Sequence, residues 1–482
     1  MESLLTKSEL LKATGGIQIG NADCFFCDVQ TDSRNVTSEK PCMFVPLMGE
    51  FQNGHKYIPD VLAKKPGVVL LNNAEYNEKS SYYEEFAAAN SDVCFVRVEN
   101  TLHALQDAAE AYVTKKCQNM IRVSITGSSG KTTTKEMMVS VARAHFGDQG
   151  VAYTYGNLNS ETGLPLSVFK IRGDEKIGIF EMGMNRVNEI GEISKVLKSQ
   201  YGIITNIGTA HIGILGSQQN IAEEKRKSFD YIPEDGAAVV GAADFFADFC
   251  TEKVKGKVLK FGKKVPESES GVRFIEDKGL FGSVFAVDGI EVHLPLSGEY
   301  NYLNALSVIT LAKELGITAE EIKKGLESVA AISGRMETKQ MKLRSGKDII
   351  LIKDCYNANL DSMMKVIEFC DGLKKIGKKI FVLADMKELG AESEKSHKAV
   401  GEKLNAVKPD YLYLIGKEMK KAYEVLESKE NADWFEDSGD ETFVKISDAI
   451  NTHADDNDIV LLKGSHSMQL EKLVPLLGGE AR

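Results

Sequence analysis

VSITGSSGKTTTKE, Val123 to Glu136, decides how this chain folds. An apolar strand runs into a glycine turn, and a helix opens at Lys131, the context that a phosphate-binding loop requires. Glycines let backbone N–H groups approach phosphate, and the helix N-terminus adds partial positive charge. Lys131 would neutralise the β- and γ-phosphates, and the Thr132 hydroxyl is placed to ligate Mg²⁺. The bland alternative is a strand-to-helix turn that binds nothing, and the Gly-Lys-Thr in this context argues against it. An ordinary Walker A motif would need glycine at 125, where this chain has Ile125. The loop is the shorter GxxGKT, Gly127 to Thr132, and no NKxD or TKxD segment reads guanine, so a GTP switch is disfavoured.

Working outward, short apolar runs alternate with helical patterns. They are GVVLL from Gly67, VCFVRV from Val93, IGIFEM from Ile177, YGIITN from Tyr201, IILIK from Ile349, IFVLAD from Ile380, YLYLIG from Tyr411 and IVLLKG from Ile459. Strands apolar throughout, interleaved with helices, predict parallel sheets covered on both faces. Ligands in such folds gather beyond the carboxyl ends of the strands. A helical pattern from Leu102 to Tyr112 marks one boundary, and Ser333-Gly-Arg335 marks a second. Residues 254–292 read as weaker strands and turns, an edge meander.

Composition bounds the rest. The 482 residues allow about three domains at ~150 each. Asp and Glu (70) outnumber Lys and Arg (59), which excludes a broad nucleic-acid coat or a polybasic membrane binder. The N-terminal stretch carries Glu2 and Glu9 and lacks the apolar core of a signal peptide, and no run nears the ~20 apolar residues of a membrane span. Eight scattered cysteines suit a reducing, cytoplasmic setting better than a disulfide framework. Cys24 and Cys27 have CxxC spacing, but no second pair or ligand histidines lie near, so they are expected to be apolar fillers beside Phe25 and Phe26.

Three later segments bear on a metal–nucleotide site. Glu181 ends a strand in IFEMGMN, where a carboxylate can face a cation near phosphate. His211 follows a strand in TNIGTAHIGILGS and is a metal-ligand candidate. Lys225, in IAEEKRKS, reads by composition alone as part of a solvated charged face.

TGSSGKTTTKE, EMGMN, TNIGTAHIGILGS and NYLN (Asn301–Asn304) occur in the order found in the Mur ligases, the ATP-dependent amide-forming enzymes of peptidoglycan synthesis. The chain resembles that family over nearly its whole length. GNLNSETGLPLSVF from Gly156, DCYNANLDSM from Asp354, DMKELG from Asp385 and KGSHSMQLEKLV from Lys463 resemble the branch that appends D-Ala-D-Ala, and the DNPR of the diaminopimelate-adding ligase is absent. The resemblance implies an α/β chain of three domains. These are a smaller N-terminal α/β domain for the UDP substrate (1–100), a central ATP- and Mg-binding domain with a P-loop-containing parallel sheet (101–332), and a C-terminal Rossmann-like domain (333–482).

It further implies a cytoplasmic monomer that binds neither nucleic acid nor membrane. ATP would be held by Gly127, Ser128, Ser129, Gly130, Lys131, Thr132 and Thr133, with Asn301 and Asn304 at the adenine and Arg335 and Asp354 reaching in from the third domain. Two Mg²⁺ ions would be held by Thr132, Glu181, His211 and Lys225, the last falling where related ligases carry a carbamylated lysine. Lys131, Glu181, His211 and Lys225 form the expected catalytic set. UDP-N-acetylmuramoyl-tripeptide would meet Ser33 and Arg34 (in TDSR) and the segment MFVPLMGEFQNGHKYI from Met43 at its UDP end, and Asn159 and Ser160 at its peptide; Asn357 and Asn359 are further substrate candidates. D-Ala-D-Ala would be the amine, joined through an acyl phosphate. Three positions depart from the family pattern: Met48 for lysine, Leu360 for proline and His466 for arginine. Another ligase of the superfamily, such as folylpolyglutamate synthase, and a non-catalytic nucleotide-binding relative are the alternatives. Retention of Lys131, Glu181 and His211 together argues against the second.

Overall fold

The computed structural model describes residues 2–49, 52–373 and 377–478. Glu50 and Phe51 of the MFVPLMGEFQNGHKYI segment lie outside the described residues. The chain is an α/β protein of three domains built on four sheets. In the first sheet Cys94–Val98, Val68–Asn72, Cys42–Phe44 and Asp28–Gln30 lie parallel in that order, with Ile17–Ile19 as an antiparallel edge. The second is parallel throughout, in the order Lys257–Phe261, Ala237–Gly241, Tyr201–Ile204, Ile121–Thr126, Ile177–Glu181, Val151–Tyr153. A third, antiparallel sheet joins Val272–Asp277, Ser283–Val287 and Ile290–Leu294. In the last, Asp348–Asp354, Ile459–Lys463, Lys379–Ala384, Tyr411–Ile415 and Ala432–Phe435 run parallel, and Glu337–Lys342 is the antiparallel edge.

Every apolar run named above is a strand, because each is buried on both faces. The edge-meander reading of 254–292 needs one correction. Lys257–Phe261 joins the central parallel sheet, and only the strands after it form the antiparallel one. As an edge strand it is mostly exposed, with only Phe261 buried, and that hid its role from the sequence.

Two packing facts position the site. The chain leaves Ile121–Thr126 for neighbours on both sides, so the glycine loop sits at a switch point beyond the carboxyl ends of the central strands. Helix Thr101–Lys116, capped by the Asn100 side chain, buries Ala104, Leu105, Ala108 and Tyr112 in one continuous core. That core includes Val68 and Val96 of the first sheet and Leu164 and Ile193 of the central domain. The first two domains are therefore fused by apolar packing. The third has its own core on each face of its sheet, around Phe381 and Leu412 on one side and Val382 and Val460 on the other.

The cysteine reading is corrected at one pair. Cys24 and Cys94, 70 residues apart, form a disulfide inside the first domain, so Cys24 is bridged rather than a plain apolar filler. Spacing from Cys27 carried no information about Cys94. Cys42, Cys117, Cys250, Cys355 and Cys370 are buried thiols.

His55 offers a pH test of the first domain. It is 3% exposed, its Nε2 accepts the Asn72 N–H at 3.0 Å, and its Nδ1 faces Asn53 Oδ1 at 2.8 Å, which fixes a neutral ring. Burial pushes its pKa down to about 4, against the opposing pull of Glu75. Between there and the ordinary value of 6.5 the unfolded chain binds the extra proton. His55 thus contributes stability that is present above about pH 6.5 and lost as pH falls toward 4, up to about 3 kcal/mol. Thermal unfolding at neutral and mildly acidic pH should show this loss, and His55→Gln should show less of it. An equal pH dependence in the variant would rule the assignment out.

Candidate active site

The glycine loop opens helix Lys131–Phe146 without a side-chain cap, leaving its first N–H groups facing outward. Gly130 has φ +83°, and a Cβ there would lie 2.6 Å from Asn304 Oδ1, so this turn admits only glycine. The loop is braced from the next strand. Asn206 Nδ2 donates to Ser129 O (2.9 Å), its Oδ1 accepts the Ser129 N–H (3.2 Å), and Ser128 Oγ accepts the Gly208 N–H (2.8 Å).

Two lysines converge on one carbonyl. Lys131 Nζ donates to Gly127 O at 2.9 Å and Lys225 Nζ donates to the same oxygen at 3.0 Å. Lys225 is 1% exposed, so the solvated charged face expected from composition is wrong. Helix Gln218–Arg226 turns this position inward beside buried Ile221, Ala222 and Glu224, while Glu223 stays partly exposed. Burial, reinforced by the charge of Lys131, pushes the Lys225 pKa well below the lysine range. Burial also lowers that of Lys131, partly offset by Glu181.

Glu181 ends its strand buried at 1% exposure, and its Oε1 accepts a hydrogen bond from Asn159 Nδ2 at 2.7 Å. Among the described residues, Glu181 Oε2, Thr132 Oγ1 and Tyr300 OH are buried polar atoms with no hydrogen-bond partner. His211 has φ +64°, and its Nδ1 lies 2.8 Å from Glu388 Oε2 of the third domain. Burial holds the His211 pKa below its ordinary value, with Glu388 opposing. The Glu388 pKa is lowered chiefly by its bond to His211.

A cavity of about 610 Å³ joins these groups. One wall carries Ser128, Ser129, Gly130, Lys131, Thr133, Asn159, Ser160, Glu181, His211, Asn301 and Asn304, and the other carries Arg335, Asp354, Asn357, Asn359 and His466. Asn301 Nδ2 donates to Ser297 O (2.8 Å), and the Arg335 guanidinium lies 4.2 Å from the centre of the Tyr356 ring. Asp354 is fixed between the Met336 N–H (3.2 Å) and Lys463 Nζ (2.7 Å). Asn359 caps helix Leu360–Gly372, so Leu360 takes the first helical position, where proline's missing N–H would change nothing. Gly127, Thr132 and Lys225 are not among the described residues that line this cavity; Thr132 and Lys225 are buried. Ser33 and Arg34 stand apart in the first domain, where Arg34 is exposed and pairs with Asp32 at 2.6 Å. Met48 there is exposed and bridges to Asn53.

Sequence reasoning missed Asn206, Glu388, Lys463 and Asp361. All four lie in segments already singled out; Asn206 and Glu388 follow a strand end and Lys463 is the last residue of its strand, and that position was the available signal.

No group of three or more His, Cys, Asp or Glu side chains able to hold a metal occurs among the described residues. A cation bound through phosphate does not need one. Mg²⁺ takes hard oxygen ligands, keeps several waters and uses one or two protein groups. The partnerless, buried Thr132 and Glu181 oxygens fit that demand. Lys225 as a free amine does not supply an anionic oxygen.

Comparison with known proteins matches residues 125–312 to the Mur ligase middle domain and residues 334–466 to the Mur ligase glutamate ligase domain. The UDP-N-acetylmuramoyl-tripeptide–D-alanyl-D-alanine ligase of Treponema pallidum is 37% identical, covering 99% of this chain and 100% of that protein. The enzyme of the same name from Bacillus subtilis is 30% identical, covering 92% of each. A crystal structure of MurF from Acinetobacter baumannii superposes with a TM-score of 0.82 at 27% identity, covering 98% of both chains.

Proposed function

Because the chain belongs to the Mur ligase family, we propose that it is an ATP-dependent, ADP-forming ligase joining D-Ala-D-Ala to UDP-N-acetylmuramoyl-tripeptide in peptidoglycan synthesis. The observation that carries this reading is the cluster at the phosphate loop, where half-buried Lys131, beside buried Thr132 and Glu181, faces a cavity whose far wall is the third domain. Likeness to ligases of that activity along the whole chain supports it. The division into 1–100, 101–332 and 333–482 assigns the UDP end, the nucleotide and the amine to successive domains.

A carboxylate does not react with an amine at neutral pH, because the leaving group would be oxide. Transfer of the γ-phosphoryl group of ATP to the terminal carboxylate of the tripeptide gives an acyl phosphate and ADP. The free amine attacks the acyl carbon, and the tetrahedral intermediate expels phosphate, leaving the amide. In the first step two anions approach each other. Lys131, at the helix N-terminus, offsets that repulsion and stabilises charge on the transferring group. Thr132 and Glu181 would hold one Mg²⁺, and His211 with a carbamylated Lys225 a second; bound there, the ions neutralise phosphate charge. Asn159, fixed against Glu181, and Ser160 face the peptide. Asn301, Asn304, Arg335 and Asp354 surround the nucleoside.

The acyl phosphate survives only in a dry site, so the third domain must close over it. Ser333–Gly334 is the proposed hinge; Gly334 has φ +70° and lies between the central domain and the edge strand Glu337–Lys342. No helix among the described residues is long and apolar enough to cross a membrane. A cytoplasmic monomer using nucleotide-linked substrates fits this reading. ATP hydrolysis that requires UDP-muramoyl-tripeptide, and amide formation with D-Ala-D-Ala but not with glutamate, lysine or diaminopimelate, is the expected result. Turnover with one of those amino acids in its place would reassign the chain within the family.

A further inference from the structure

The contact between the central and third domains differs in kind from the fused core of the first two. Its apolar part consists of Ile212, Leu280 and Tyr300, each only partly buried against the third-domain core. The rest is a polar seam along the loop after strand Tyr201–Ile204. Asp361 Oδ2 accepts both the Thr209 N–H (2.8 Å) and the Thr209 hydroxyl (3.0 Å). The Gly213 N–H donates to Glu388 O at 3.0 Å, and Asn359 Nδ2 reaches Ser129 Oγ at 3.4 Å. Two glycines permit the approach: a Cβ on Gly208 would lie 2.4 Å from Asp361 Oδ2, and one on Gly213 would lie 2.5 Å from Gly390 N.

Resting on the ligase reading above, we propose that Asp361 is a positioning residue, the latch that holds the third domain against the 208–213 loop while the acyl phosphate exists. Each group in this seam can exchange its partner for water at small net cost, so the closed arrangement is held by a narrow margin and can open again. An interface built around a shared apolar core, like that of the first two domains, would stay shut. Thr209 lies two residues before His211, so the same bonds fix the loop that presents His211 to the cavity. Closure and assembly of the site are thereby one event. Asp361 also sits in the first turn of helix Leu360–Gly372, which carries it as a rigid body with its own domain.

The test uses the full chain with one fluorophore in each of the two domains. Energy transfer is measured with a non-hydrolysable ATP analogue alone, then beside turnover. Asp361→Ala should lower the closed-to-open ratio about tenfold, the net strength of two hydrogen bonds. It should lower kcat similarly, leave KM for ATP little changed, and raise ATP hydrolysed per amide formed. Asp361→Asn, which keeps an acceptor oxygen, should recover part of each. Gly213→Ala, which leaves Asp361 intact, should favour the open form by steric obstruction. A helix-stability effect alone would lower Tm without moving the energy-transfer distribution. An Asp361→Ala distribution identical to wild type would overturn the latch. Wild-type closure that responds to Asp361→Ala without any amide product would support the latch and refute the ligase reading instead.

Discussion

Lys131→Ala is expected to lower amide formation by on the order of 10²–10³-fold, with thermal unfolding little changed. Among the described residues Lys131 Nζ makes one hydrogen bond, to Gly127 O, and Lys225 donates to the same oxygen, so the loop keeps a partner when Lys131 is lost. The effect falls on the chemistry. Burial lowers the Lys131 pKa, partly offset by Glu181, and an approaching triphosphate favours the charged form, so the lysine's attraction is spent on the anion. The defect should appear in kcat as well as in ATP affinity, because charge on the transferring group grows toward the transition state. Near-normal turnover in this variant would show that ATP lies elsewhere.

Replacing Lys225 is expected to have an effect of similar size, roughly 10²-fold or more for Lys225→Ala, through a different cause. The side chain is buried beside a second lysine, which disfavours the ammonium. In its neutral form the amine can add CO₂, giving a carbamate and releasing one proton. That equilibrium shifts toward the carbamate as pH rises, and in the proposed site the carbamate would supply the anionic oxygen for a second Mg²⁺. The wild-type chain equilibrated with ¹³C-bicarbonate should show a carbamate carbon signal that Lys225→Ala lacks. Lys225→Arg keeps the charge but cannot be carbamylated, and it should be as inactive as the alanine variant. Full activity of Lys225→Arg would remove Lys225 from the metal reading.

Some of this site was legible in residue order. The strand, the short glycine loop and the helix after it follow from local rules: apolar run, glycines at the turn, lysine at the helix start. Glu181 and His211 were readable because each follows a strand that is itself easy to read. Lys225 was not, since EEKRK has the same composition whether it faces water or a phosphate loop 98 residues earlier in the chain. Glu388 and Lys463 stood in segments that had been singled out, yet their partners, His211 and Asp354, lie far away in sequence.

The sequence by itself determined the parallel sheets, the phosphate loop at a strand's carboxyl end and the family to which those motifs point, because each is written in contiguous residues whose period and turn chemistry are local. Tertiary structure alone decided which buried groups meet. It set two lysines on Gly127 O, paired Cys24 with Cys94, and joined the first two domains through a shared core while seating the third on a polar seam. Those outcomes depend on distances between remote segments, and side-chain burial, which sets charge state and partner, exists only after the segments have packed.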